Sequence, residues 1–369
     1  MIRKNLIMII VLCISSMMSL FFFTGSGSET STGAAKIKRN QSWLSVSPAL
    51  AQGAQGFVVD HHSVAQFEAI PDSAIEAAAN LRMFFMDRSV GGNIDRGLTC
   101  LDYPSDEAAP NDCKRYQHVA AHPEFSVSPN EVNWSRPGGY SRDNWVYEFF
   151  PSNGNCLGEW SQKVECFINR SDQVLNQYDV LSFQFSYLEV LSGSTIADQP
   201  GGFFSDEPPV RDVYDLEDYE NAHPDKVFIY WTTSLARNVG TLEAQSFNDQ
   251  MRQYALANDK ILFDVADILS HDPSGNPCYD HRDGIFYDGS NGDENFPDDG
   301  QNIPAICQHY TSEYDGGHLG SPSAGMIRVA KAFWVLMAQL ATDWTPPEAP
   351  PPVPMPIKVY LPLILKEAS

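Results

Sequence analysis

The residues in this chain best suited to chemistry are one serine and, more than two hundred positions later, an aspartate and a histidine. Ser89 lies in the stretch Leu81 to Leu98, Leu-Arg-Met-Phe-Phe-Met-Asp-Arg-Ser-Val-Gly-Gly-Asn-Ile-Asp-Arg-Gly-Leu. Leu81 to Met86 is short and mostly apolar, as a central strand of a parallel sheet should be. Gly91 and Gly92, just past Ser89, give a backbone that turns sharply and tolerates close approach. A serine between a strand end and a helix start can present its hydroxyl to a crevice, beside N–H groups that favour an anion. The same serine can equally serve as a helix cap. The complement is Tyr314-Asp315-Gly316-Gly317-His318-Leu319. A serine nucleophile needs an imidazole to take its proton, and the imidazole needs a carboxylate to fix its tautomer and stabilise its charge. The two glycines let both side chains point the same way.

Positioning these groups requires a scaffold, and the hydrophobic pattern supplies one. Apolar runs near Leu81, Trp145, Val180, Lys226 and Ile261 read as about five strands. Between them lie helical patterns: Pro71 to Asn80, Ile94 to Leu101, Leu242 to Ala257 and Gly320 to Leu340. This alternation predicts an α/β fold whose parallel sheet is covered by helices on both faces. Ligands of such sheets bind at the carboxyl ends of the strands, where Ser89 falls. Ser192 to Asp225 reads as a loop-rich insertion whose acidic residues (Asp215, Glu217, Asp218, Glu220) form a solvated face. Residues 271 to 306 read as an acidic loop. Asp280, Asp283, Asp288, Asp293, Asp298 and Asp299 could offer oxygens to calcium, but no EF-hand spacing is present, and solvation is the simpler reading. Asp60-His61-His62-Ser63 is read as structural, because two adjacent histidines on a strand cannot face one ion.

The chain has 369 residues and a formal net charge of −23, which argues against nucleic acid as a partner and against charge-driven adsorption to anionic lipid. Residues 1–28 read as a signal peptide: Arg3 and Lys4 precede an apolar run from Leu6 to Phe23, with an uncleaved anchor as the lesser alternative. Residues 29–56 read as a flexible linker, 57–343 as the folded domain and 344–369 as a proline-rich tail. The expected location is secreted or cell-surface. Six cysteines follow Cys13, and an even number in an exported chain suggests disulfides. Sequential pairing (Cys100 with Cys113, Cys156 with Cys166, Cys278 with Cys307) is the simplest. No Cys-x-x-Cys pair or Cys/His cluster points to a metal, and no cofactor is expected.

Asp-Arg-Ser-Val-Gly-Gly-Asn-Ile followed by Gly-Leu resembles the first block of a branch of the SGNH (GDSL-like) hydrolases. Further pieces agree in order: Ile-Tyr-Trp-Thr-Thr-Ser-Leu, Phe-Asn-Asp-Gln-Met-Arg-Gln-Tyr-Ala, Leu-Phe-Asp-Val-Ala-Asp-Ile and Tyr-Asp-Gly-Gly-His-Leu. The resemblance covers roughly residues 57 to 342. It implies a three-layer α/β/α sandwich with a parallel, flavodoxin-like sheet of about five strands, and ester hydrolysis through an acyl-enzyme, with Ser89 as nucleophile, His318 as general base and Asp315 as its partner. The family's Gly-x-Asn-Asp block, which contributes an oxyanion donor, has no counterpart here. Gly91, Gln184, Ser186 and Gly138 (or Gly139) are the candidate donors in its place. The expected substrate is a small-molecule or carbohydrate ester, with Trp134, Trp145 and Trp160 as aromatic contacts if they are not core. The alternative is a non-catalytic extracellular glycan-binding or surface protein on the same scaffold.

Overall fold

The computed structural model of the chain describes residues 56–105, 107–110, 113, 140–150, 156, 159–191, 193–197, 200–205, 211–235, 241–280, 300–307, 310, 319 and 324–347. The signal peptide, most of the linker, the tail beyond residue 347, Trp134, Gly138, Gly139, Asp315, His318 and residues 281–299 of the acidic loop lie outside them.

Within the described residues, six strands form one all-parallel sheet. They are β1 (Val58–Val59), β2 (Met83–Asp87), β3 (Trp145–Phe149), β4 (Val180–Phe183), β5 (Val227–Trp231) and β6 (Leu262–Phe263). Their order is β1-β6-β5-β4-β2-β3. Counting from β2, the five expected strands run 2-1-3-4-5, the flavodoxin order. β1 is an addition at the β6 edge. It is only two residues long, too short to give an alternation that a sequence pattern could register.

The helices are α1 (His61–Val64), α2 (Asp72–Asn80), α3 (Ser89–Asp102), α4 (Trp160–Val174), α5 (Val213–Ala222), α6 (Leu242–Ala257), α7 (Val265–Leu269) and α8 (Ala324–Ala341). The pleat of each strand divides the core in two. Met83, Phe85, Val180, Ile229, Trp231 and Phe263 face the layer that holds α2, α3, α7 and α8. Phe84, Met86, Leu181, Phe183, Phe228, Tyr230 and Leu262 face α4, α5 and α6. Both faces of each central strand are buried, which is why these strands read as continuous apolar runs. On the first face Phe85 stacks on Trp231 at 4.8 Å and 5°, and Phe333 of α8 closes over Trp231 at 5.9 Å. α8 is apolar nearly all round because it is buried nearly all round. It lies so close to α3 that a Cβ on Gly97 would come within 2.2 Å of the Met326 carbonyl oxygen, so a glycine is required there.

Two sequence expectations need correction. The helix behind Ser89 starts at Ser89 itself, so Gly91 and Gly92 lie in its first turn instead of forming a separate turn. The Ser192 to Asp225 segment contains α5, started by a capping box in which Asp212 accepts from the Tyr214 and Asp215 N–H groups. Its acidic residues are also not simply solvated. Glu217 and Glu220 pair with Lys260 at 2.9 and 2.7 Å, and Asp215 pairs with Arg211 at 2.6 Å.

The disulfides Cys100–Cys113, Cys156–Cys166 and Cys278–Cys307 follow the sequential pairing. Such bridges are compatible with an oxidising, extracellular setting.

Candidate functional site

Asp87 ends β2, Arg88 caps α3 and Ser89 is its first residue. In the strand order, β2 and β4 are the neighbours from which the sheet is wound in opposite directions, and the crevice outside their carboxyl ends is where an open α/β sheet binds ligands. Ser89 is half-buried in that position, at the helix end where first-turn N–H groups lie outside the intrahelical ladder. Gly91 is required by close approach. A Cβ there would meet the Tyr147 ring at 2.6 Å and the Asp87 Cβ at 2.7 Å. Tyr147 of β3 reaches across the turn and donates its hydroxyl to the Arg88 carbonyl.

Beneath the turn lies a set of buried charges. Asp87 is 0% exposed, and neither carboxyl oxygen has a partner in hydrogen-bond geometry. Burial pushes its carboxyl up to about 7. The Arg88 and Gly91 N–H groups work against that rise, and the Glu189 charge adds to it. Glu189, on the loop after β4, is also buried. One of its oxygens accepts from Arg88 at 2.8 Å and from Lys163 of α4, and the other accepts the Ser186 N–H at 2.7 Å. The Ser89 turn, the β4 loop and the start of α4 are thus tied through one carboxylate. Sequence reasoning passed over Asp87, Lys163 and Glu189. The available signals were an acid ending an apolar strand and a lysine on the apolar stripe of α4.

The candidate oxyanion donors have other engagements. Gln184 is buried and donates its amide to the Thr232 carbonyl at 3.2 Å. Ser186 is buried, and its hydroxyl oxygen accepts the Leu188 N–H at 3.1 Å. The Gly91 N–H bears on the Asp87 carboxyl. Asp315 and His318 lie outside the described residues, but Leu319, next in the chain after His318, is described. Its N–H donates to Asn93 Oδ1 at 3.1 Å, in the second turn of α3.

Two further features lie on the carboxyl edge. A cavity of about 190 Å³ opens over β4, β5 and β6, between the 187–191 segment and α6. At the far end, the segment after β1 meets α7. His61 lies on α1, not on a strand, and its backbone N–H donates to Asp267 Oδ2 at 2.9 Å while its Nδ1 bonds the same oxygen. His271 Nδ1 lies 3.3 Å from Asp267 Oδ1, and the two imidazoles stack at 3.9 Å. His61, Asp267 and His271 place one donor atom each within 4.8 Å of the others, a set able to hold a transition metal. Adjacent His62 is not part of this set, and His61 and His62 lie on a helix where the sequence argument assumes a strand.

No protein-family model matches the chain, and searches of curated proteins and of solved structures likewise give no match.

Proposed function

We propose that this chain is an exported serine hydrolase of the SGNH type. Ser89 attacks the carbonyl of an ester, His318 takes the hydroxyl proton and passes it to the leaving alkoxide, and Asp315 orients the imidazole and offsets its charge. Water then cleaves the acyl-enzyme, with the same histidine as base. The observation that carries the reading is the placement of Ser89: first residue of α3, directly behind β2, at the switch point of the sheet. The Asn93–Leu319 hydrogen bond supports it, because it ties the chain beside His318 to the nucleophile's own helix. The substrate is left at an ester. Trp145 is core, and half-buried Trp160 stacks on Phe203 at 4.0 Å, so neither argues for a carbohydrate platform.

The test is hydrolysis of a short-chain aryl acetate by the wild type, Ser89→Ala and His318→Ala. Turnover lost in both variants is the expected result, and turnover unchanged in Ser89→Ala would refute the proposal. A second reading, a non-catalytic glycan-binding or surface protein, is favoured by the engagement of Gln184 and Ser186 elsewhere. Removing one oxyanion donor typically costs on the order of a hundredfold or more in rate. Saturable glycan binding that survives Ser89→Ala, with no ester turnover in the wild type, would establish the second reading.

A further inference from the structure

The cavity over β4, β5 and β6 has the features of a ligand site. Its walls include Leu188, Val190, Leu235 and Ala266, and its volume is about 190 Å³. For scale, an apolar cavity of about 150 Å³ admits one benzene. Asn248 of α6 is in its lining and only 3% exposed. The Thr233 backbone N–H donates to Asn248 Oδ1 at 2.8 Å. A backbone N–H can only donate, so this bond fixes the amide and turns its NH₂ group away from Thr233. That NH₂ group meets no acceptor among the described residues. Asn248 lines the cavity, so an oxygen atom placed there could accept from this NH₂ group. Arg252 also lines the cavity, but its guanidinium is bound to Asp264 at 2.6 and 3.0 Å and to Asp249 at 2.9 Å. With that charge neutralised inside the protein, the cavity suits a neutral acceptor better than a carboxylate.

We propose that this cavity binds a neutral, mostly apolar group of roughly six to eight non-hydrogen atoms that carries one carbonyl or ether oxygen, held by the Asn248 amide. The site is linked to the Ser89 turn. Glu189 lies between the wall residues Leu188 and Val190 and takes the Arg88 guanidinium at 2.8 Å. β5 is two strand positions from β2, about 10 Å along the edge. Resting on the hydrolase reading, the group is the far end of the ester whose scissile carbonyl lies at Ser89.

The experiment is ligand-observed NMR of cyclohexanone and of methylcyclohexane, its counterpart without the oxygen, on the full chain carrying Ser89→Ala. Cyclohexanone is expected to bind and to outcompete methylcyclohexane. Asn248→Asp keeps the acceptor for Thr233 and deletes the donor, so it should weaken cyclohexanone about tenfold or more and abolish its advantage. Ala244→Phe fills the cavity from another position and should weaken both ligands. No cyclohexanone binding to the Ser89→Ala chain, or equal binding in both cavity variants, overturns the proposal. Labelling of wild-type Ser89 by a small methylphosphonate is read separately. Binding without labelling removes the hydrolase reading and keeps the cavity site, and labelling without binding does the reverse.

Discussion

Replacing Asp87 by asparagine should change how the stability of this fold depends on pH. Asp87 is fully buried at the end of β2, and burial raises its carboxyl to about 7 from 3.8. An acid with a raised folded pKa binds its proton more tightly in the native state than in the unfolded chain. Its contribution is therefore intact below pH about 4 and is lost as pH rises through about 7. At 1.36 kcal/mol per pH unit the full loss is about 4 kcal/mol, of which about 2.6 kcal/mol falls between pH 5 and pH 8. The amide of the Asp87→Asn variant cannot ionise and so cannot lose it. It does place an NH₂ group where no acceptor stands in hydrogen-bond geometry, at a cost of about 1–3 kcal/mol that is the same at both pH values. Urea unfolding of both proteins at pH 5 and pH 8 isolates the effect. The difference between variant and wild type should shift by about 2.6 kcal/mol in favour of the variant on going to pH 8. Asp212, raised to about 6 by burial, adds the same slope to both proteins and cancels. If the difference were the same at pH 5 and pH 8, the buried carboxyl would not be titrating in this range, and the reasoning would fail.

Three other outcomes can be checked on the same unfolding curves. Gly97→Ala drives a methyl into the Met326 carbonyl, a backbone atom that cannot rotate away, and should cost about 3 kcal/mol; an unchanged midpoint would mean that α3 and α8 are not in contact there. Opening Cys278–Cys307, which closes 29 residues, should cost about 3.6 kcal/mol by chain entropy, against about 2.7 kcal/mol for Cys156–Cys166, which closes 10. The reverse order would refute the chain-entropy account. At His61, burial opposes the charge but the Asp267 carboxylate outweighs it and raises the pKa above 6.5. The protonated pair therefore stabilises the fold below that pH, and the contribution is lost as pH rises through the raised value. His61→Gln should cost more stability at pH 5.5 than at pH 8.5, and equal losses would dismiss the ion pair.

The strands buried on both faces are legible in the sequence because burial on two sides leaves a run of apolar residues with no gap. Phe84 and Phe85 point to opposite layers, yet both must be apolar. Leu242 to Ala257 carries a threonine cap and a one-sided stripe, and the helix has those bounds. The disulfide pairing follows from order alone. What stays hidden depends on distance in space. Asp87 and Glu189 are ordinary acids in sequence, and only the meeting of β2 with β4 makes them share a crevice. His61 lies on α1, where its partners Asp267 and His271 come from more than two hundred residues along the chain. Ser89 is legible as a strand-end residue, but glycines usually argue for a turn, so the sequence pattern starts the helix late, at Ile94. Here Gly91 is held in a helix by the ring and carboxyl that crowd it.

The pairing of β1 with β6 has a consequence for how the molecule is made. Val58 aligns with Leu262, so the first of the described strands waits for the last. Contacts this distant in sequence close a long loop before they return any stabilisation, and they slow folding. A chain delivered from its N-terminus onward therefore carries an unpaired β1 until more than two hundred residues have followed. Through that interval His61 has no Asp267 to bind. The cluster at the end of β1 is thus assembled late, and protection of the Asp264 amide, which donates to the Val59 carbonyl at 2.8 Å, would date the closure of the sheet.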